Sequence, residues 1–131
     1  MNRALARKVR ERARGRCEYC GIAQSGFPLP FQIDHVISEK HHGETAEDNL
    51  AFACTHCNLC KGPNIAGRDS ISGELTPLFN PRTDLWDEHF TFVGRHIVGR
   101  TAVGRVTVQV LEVNTLDRLA LRAELLEEGQ L

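Results

Sequence analysis

The sequence predicts a small α+β domain stapled by a metal ion, and three observations carry that reading. The chain has 131 residues, enough for one core and too few for two. Four of its five cysteines form two C-x-x-C pairs, Cys17/Cys20 and Cys54/Cys57. Helical patterns stand at both ends, and short strand patterns lie between them.

The elements follow in order. Residues 3 to 14 are rich in Ala, Arg, Leu and Lys and predict a helix. Arg3, Arg7, Arg10 and Arg14 share one face of it, and Leu5, Val9 and Ala13 another. Gly15 is placed to close the helix in a left-handed cap. Cys17 to Gly21 is a compact turn, and residues 24 to 30 form a loop broken by glycine and two prolines. Phe31 to Ile37 and Leu50 to Ala53 are strand candidates, separated by a polar loop. A helix should begin near Thr55 and stop near Lys61 and Gly62, because Pro63 cannot continue it.

Residues 64 to 84 have no clear period and predict a long surface connector pinned by Leu78 and Phe79. Phe90 to Val93 and His96 to Gly99 flank Gly94-Arg95 as a hairpin. Residues 102 to 113 fit a strand or a helix. Thr101 as a cap and Asn114 as an end tilt that choice to helix. Leu116 to Glu127 is a clearer helix, with Leu116, Leu119, Ala120, Ala123 and Leu126 as its buried stripe.

Hydrophobic residues at 41% and charged residues at 25% have the balance of a soluble globular protein. No run approaches the roughly 20 apolar residues of a membrane span, so no membrane partner is expected. The N-terminus lacks the apolar block of a secretory signal, and its arginines lack the serines of a transit peptide. A cytoplasmic setting is therefore expected. Net charge is −1, yet residues 1 to 16 carry seven basic side chains against Glu11 alone. That asymmetry points to a basic arm that meets an anionic partner. Arg95, Arg100 and Arg105 could extend its surface.

An odd number of cysteines excludes complete disulfide pairing, and cytoplasmic clusters more often hold metal. Two residues between thiols let both sulfurs reach one tetrahedral zinc, and four thiolates leave no open position. Cys17, Cys20, Cys54 and Cys57 thus predict structural zinc. Cys57 and Cys60 offer a second register, but Cys54 and Cys57 lie at a strand-to-helix turn whose first free amides can stabilise thiolates.

Asp34-His35, Asn49, Asn58 and Lys61 form a second constellation. Together with the cysteines these residues resemble the HNH endonuclease family, of the ββα-metal fold. The matching stretches are Cys17-Glu-Tyr-Cys20, Gln32-Ile-Asp-His-Val-Ile37, Asp48-Asn-Leu50 and Cys54-Thr-His-Cys-Asn-Leu-Cys-Lys-Gly62. Asn80-Pro-Arg82 and Trp86 to Phe90 also look like a subgroup of small bacterial HNH proteins. The resemblance implies one nuclease domain over residues 1–131. It would comprise a basic helix (1–16), a zinc-stapled, treble-clef-like ββα-metal core (17–66), and a connector, hairpin and C-terminal helices (67–131).

It further implies that His35 is the general base. Asp34 and Asn58 would hold a catalytic divalent ion, magnesium, manganese or another. Asn49 would hold the loop carrying the histidine, and Lys61 would lie near phosphate. Two positions depart from the family pattern: His42 stands where glycine is common, and Cys60 where a basic residue or histidine is common.

The chemistry agrees with those roles. A neutral imidazole can accept water's proton at physiological pH. A hard cation held by oxygen ligands keeps positions for water and phosphate oxygens. One evident carboxylate is too little anionic charge for two divalent ions, so a one-metal mechanism is expected. The partner implied is DNA, duplex by family precedent, with Arg3, Arg7, Arg10 and Arg14 contacting phosphates. Competing readings are a zinc module that binds nucleic acid or protein without cleaving, and a thiol redox protein. The first has no need of the second constellation, and the second lacks its βαβ pattern. No heptad marks a dimer, and the oligomeric state stays open.

Overall fold

The computed structural model describes residues 1–25 and 27–131. Helix α1 spans Arg3–Arg12 and is capped by Asn2, whose side chain accepts from the Leu5 amide at 2.8 Å. Val9 is buried beneath it, and Leu5 and Ala13 pack beside the core. The helix closes with Arg14 N donating to Glu11 O and Gly15 N donating to Arg10 O. Arg14 (φ 55°) therefore occupies the left-handed position ahead of Gly15 (φ 69°), one residue earlier than expected. Arg14 thus leaves the helical face that carries Arg3, Arg7 and Arg10.

Arg12 anchors α1 by donating to Glu47 O at 2.8 Å and to Leu50 O at 2.6 Å. The helix consequently lies against a 3₁₀ turn, Glu47–Asn49, and strand β2 (Leu50–Ala53). Strand β1 (Gln32–His35) pairs antiparallel with β2, setting Asp34 opposite Ala51 and His35 opposite Leu50. All four residues of β2 are buried, which explains their unbroken apolar character. Helix α2 (Thr55–Lys61) follows at once, with the Cys54 sulfur accepting from Cys57 N at 3.4 Å as its cap.

The connector departs from expectation, because β3 (Ala66–Arg68) and β4 (Leu75–Pro77) form an antiparallel hairpin within it. Neither strand alternates in hydrophobicity, so periodicity could not show them. Their turn is built by Asp69, which accepts from Ser72 N and pairs with Arg105 at 2.8 Å. Gly67 lies against a later helix, where a Cβ would come within 2.8 Å of Val106. Leu78 and Phe79 are buried at the end of this hairpin.

A single turn, α3 (Trp86–His89), leads into the expected hairpin of β5 (Phe90–Val93) and β6 (His96–Gly99). Residues 102–110 are helical: α4 (Ala102–Val110) is capped by Thr101, which accepts from Gly104 N. Asn114 does not end it. Its side chain exchanges two hydrogen bonds with the Ile97 backbone instead, completing the open edge of β6.

Helix α5 (Leu116–Glu127) has the expected bounds but a rotated face. Arg118, Leu119 and Arg122 are buried, whereas Leu116 is 85% and Leu126 44% exposed. Arg122 donates to Arg95 O, Asn114 Oδ1 and Val113 O, and Arg118 points at the cysteine cluster. Buried acceptors for the two arginines join Leu119, Leu121 and Leu125 in setting the rotation of this helix.

Candidate active site

The four sulfurs of Cys17, Cys20, Cys54 and Cys57 lie within 4.8 Å of one another and are buried. Zinc–sulfur bonds of about 2.3 Å in a tetrahedron put neighbouring sulfurs roughly 3.8 Å apart. Cys20 Sγ and Cys54 Sγ are 3.8 Å apart. The cluster has the shape and donor chemistry of a structural zinc site. Cys60 lies outside it, 3.7 Å from His56 Nε2 and from Glu112 Oε2, which settles the register in favour of Cys54.

The β1–β2 hairpin carries the second constellation. Asp34 is buried, and its Oδ2 accepts from Tyr19 Oη at 2.9 Å and from Lys61 Nζ at 3.0 Å. His35 sits one residue on, with Nε2 2.9 Å from Thr45 Oγ1 and 3.5 Å from Glu39 Oε1. Asn49 laces the loop between the strands. Its Oδ1 accepts from Ile37 N, and its Nδ2 donates to Ile37 O and Glu44 O, each at 2.9 Å. Gly43 packs into that lacing, where a Cβ would lie 1.6 Å from Ile37 O. Asn58, half-buried on α2, makes no side-chain hydrogen bond among the described residues. Asp34, His35, Ser38, Glu39 and Asn58 line one open cleft of about 340 Å³.

Residues 17–64 match the family model of the HNH endonucleases. The segment is an HNH domain. The chain is also similar to the Septu protein PtuB of Bacillus thuringiensis, 25% identical over 111 residues. That match takes in 83% of this chain and 40% of the relative, so the chain spans about two fifths of that protein's length. No solved structure matches. Over residues 17–64 the chain is thus similar to nuclease-type hydrolases. No helix of the described residues is long and apolar enough to cross a membrane.

Within this HNH domain the electrostatics centre on Asp34. Burial raises its carboxyl pKa, and the Lys61 ammonium and the Tyr19 hydroxyl oppose that rise. Lys61 is itself only 1% exposed and also donates to His35 O at 3.0 Å. It therefore stands behind Asp34, not on a phosphate-facing surface as expected, because the buried carboxylate requires a partner. Arg105 is likewise withdrawn from the basic surface by its pair with Asp69, and Arg100 donates to Asp87 O. Arg3, Arg7, Arg10 and Arg14 are all exposed.

Several contributors escaped the sequence reading. Tyr19 lies between two zinc cysteines, a position that signalled only a turn. Glu39 and Thr45 belong to a loop with no period, and Glu39 brings a second carboxylate to the cleft. Arg118 Nη2 lies 3.5 Å from Cys20 Sγ and 3.4 Å from Cys54 Sγ. Its signal was an arginine pair, Arg118 and Arg122, at helical spacing beside an apolar stripe. The later segments also clamp the cysteine knuckle: Trp86 Nε1 donates to Tyr19 O at 2.9 Å, and Arg82 pairs with Glu18.

Proposed function

We propose that the whole chain is one metal-dependent endonuclease that hydrolyses phosphodiester bonds in duplex DNA with a single catalytic cation. The observation carrying this reading is the shared cleft of Asp34, His35 and Asn58 beside the four-cysteine staple. Oxygen donors from Asp34 and the Asn58 amide carbonyl suit magnesium or manganese. Bound there, such an ion would offset charge on the phosphoryl oxygens and the leaving 3′ oxygen. Glu39, the other cleft carboxylate, is turned toward the imidazole, which favours one cation over two.

His35 serves as general base, taking the proton of the attacking water; such a base contributes roughly 10²- to 10⁴-fold. Thr45 and Glu39 hold its Nε2, and Nδ1 makes no hydrogen bond among the described residues. Asn49 keeps the loop behind the imidazole folded. Arg3, Arg7, Arg10 and Arg14 supply phosphate contacts that carry no sequence information, giving salt-dependent binding. Cys17, Cys20, Cys54 and Cys57 would hold zinc, which would tie the start of α2 to the knuckle. Five cysteines with no disulfide among the described residues suit a reducing cytoplasm.

The test is nicking of supercoiled plasmid by the purified chain with magnesium or manganese, beside His35→Ala, Asp34→Asn and a chelator control. Metal-dependent nicking that both variants lose supports the proposal. Equal nicking by His35→Ala overturns it. So does wild-type protein that binds DNA without cutting, which leaves a zinc-stapled binding module.

A further inference from the structure

We propose that Tyr19 and Lys61 are positioning residues that present Asp34 to the cleft with one oxygen free, so that a divalent cation is gripped by that oxygen alone. The inference rests on the cation reading above and adds two residues and a binding mode to it. Tyr19 Oη and Lys61 Nζ donate to the same atom, Asp34 Oδ2, at 2.9 and 3.0 Å. Oδ1 takes no hydrogen bond among the described residues, and Asp34 lines the open cleft.

Both donors are buried, at 2% and 1% exposure, so water cannot replace either of them. Lys61 Nζ also donates to His35 O, which fixes the backbone between Asp34 and the imidazole. Each donor is held by the metal staple. Tyr19 lies between Cys17 and Cys20, and its carbonyl is taken by Trp86; Lys61 follows Cys57 by one turn of α2. The carboxylate is therefore pinned from two sides of the cysteine cluster and cannot rotate to offer both oxygens.

A single-oxygen grip leaves more of the coordination shell to water and phosphate, as the octahedral preference of magnesium and manganese demands. Calcium accepts two-oxygen carboxylate binding and more ligands. Releasing Oδ2 therefore favours calcium over manganese. Partners of ligating carboxylates typically change metal affinity 10- to 100-fold. Tyr19→Phe is the direct variant because it removes one donor without altering charge or ring volume. Lys61→Met removes the other. Its lost charge acts equally on both divalent ions and cancels in their affinity ratio.

Titration of the zinc-loaded full chain with Mn²⁺ and with Ca²⁺ tests this, with zinc content and thermal melting followed in every variant. Tyr19→Phe should weaken Mn²⁺ binding about 10-fold and Ca²⁺ binding less, with one zinc retained. Lys61→Met should lower the Mn²⁺/Ca²⁺ affinity ratio in the same direction. Asp69→Asn breaks a buried pair with Arg105, whose partners do not touch Asp34, Tyr19 or Lys61, and should leave Mn²⁺ affinity unchanged. Mn²⁺ affinity within twofold of wild type in Tyr19→Phe, while Asp34→Asn abolishes binding, overturns the positioning role and leaves the cation reading intact. Equal loss in Asp69→Asn assigns the effect to general destabilisation and also overturns it. Mn²⁺ binding untouched by Asp34→Asn overturns both.

Discussion

Replacing Arg118 with methionine should weaken zinc binding by 10- to 100-fold while the fold persists with metal bound. Four thiolates and one Zn²⁺ leave two negative charges in a buried site, and Arg118 brings a guanidinium to two of the sulfurs, at 3.5 and 3.4 Å. Hydrogen bonds to charged groups contribute about 1.5–3 kcal/mol each. The lower end applies here, because sulfur is a diffuse acceptor and the distances are long. At that lower end, one to two such bonds contribute about 1.4–2.8 kcal/mol net, which corresponds to the 10- to 100-fold change. Methionine keeps most of the buried volume, so lost packing adds little. Competition for zinc against a chromophoric chelator measures the effect. Because the pair is buried, the difference should persist at high salt. Arg118→Lys should fall between the two, keeping the charge and losing the fork. Zinc affinity within twofold of wild type in Arg118→Met would refute the reasoning.

Asn49→Ala removes three loop hydrogen bonds and should cost about 1–3 kcal/mol, read by urea denaturation, with faster hydrogen exchange at the Ile37 amide. Cys54→Ser should lose zinc and cooperative unfolding, whereas Cys60→Ser should keep one zinc per chain by metal analysis. Asp69 is held below the ordinary carboxylate range, first by its Arg105 hydrogen bond and then by Ser72 N. A depressed folded pKa gives stability that is present above the unfolded value, about 3.9, and lost as pH falls through the folded one. Asp69→Asn should therefore flatten the acid limb of the stability profile below about pH 4, with denaturation at pH 6 and pH 3 as the check.

Local chemistry explains which features were legible. The two C-x-x-C pairs, the stop before Pro63, the Gly94-Arg95 turn and the bounds of α5 each depend on residues adjacent in sequence. The β3–β4 hairpin was illegible because its strands are made by a turn aspartate and by packing against α4, not by their own pattern. Tertiary contacts likewise misplaced the buried face of α5: Arg118 is drawn in by cysteines far away along the chain, and Arg122 by backbone and side-chain acceptors of the β5–β6 turn and the α4–α5 loop.

From its own residues the chain specified a metal staple, a ββα core around Asp34-His35 and a basic first helix, since spacing and periodicity act over a few residues. Only tertiary structure decided that Lys61 turns inward to Asp34, that Tyr19 shares the same oxygen, and that Arg118 faces the thiolates. Buried charges choose partners across the whole fold, and the cost of leaving one unpaired exceeds any preference written in neighbouring positions.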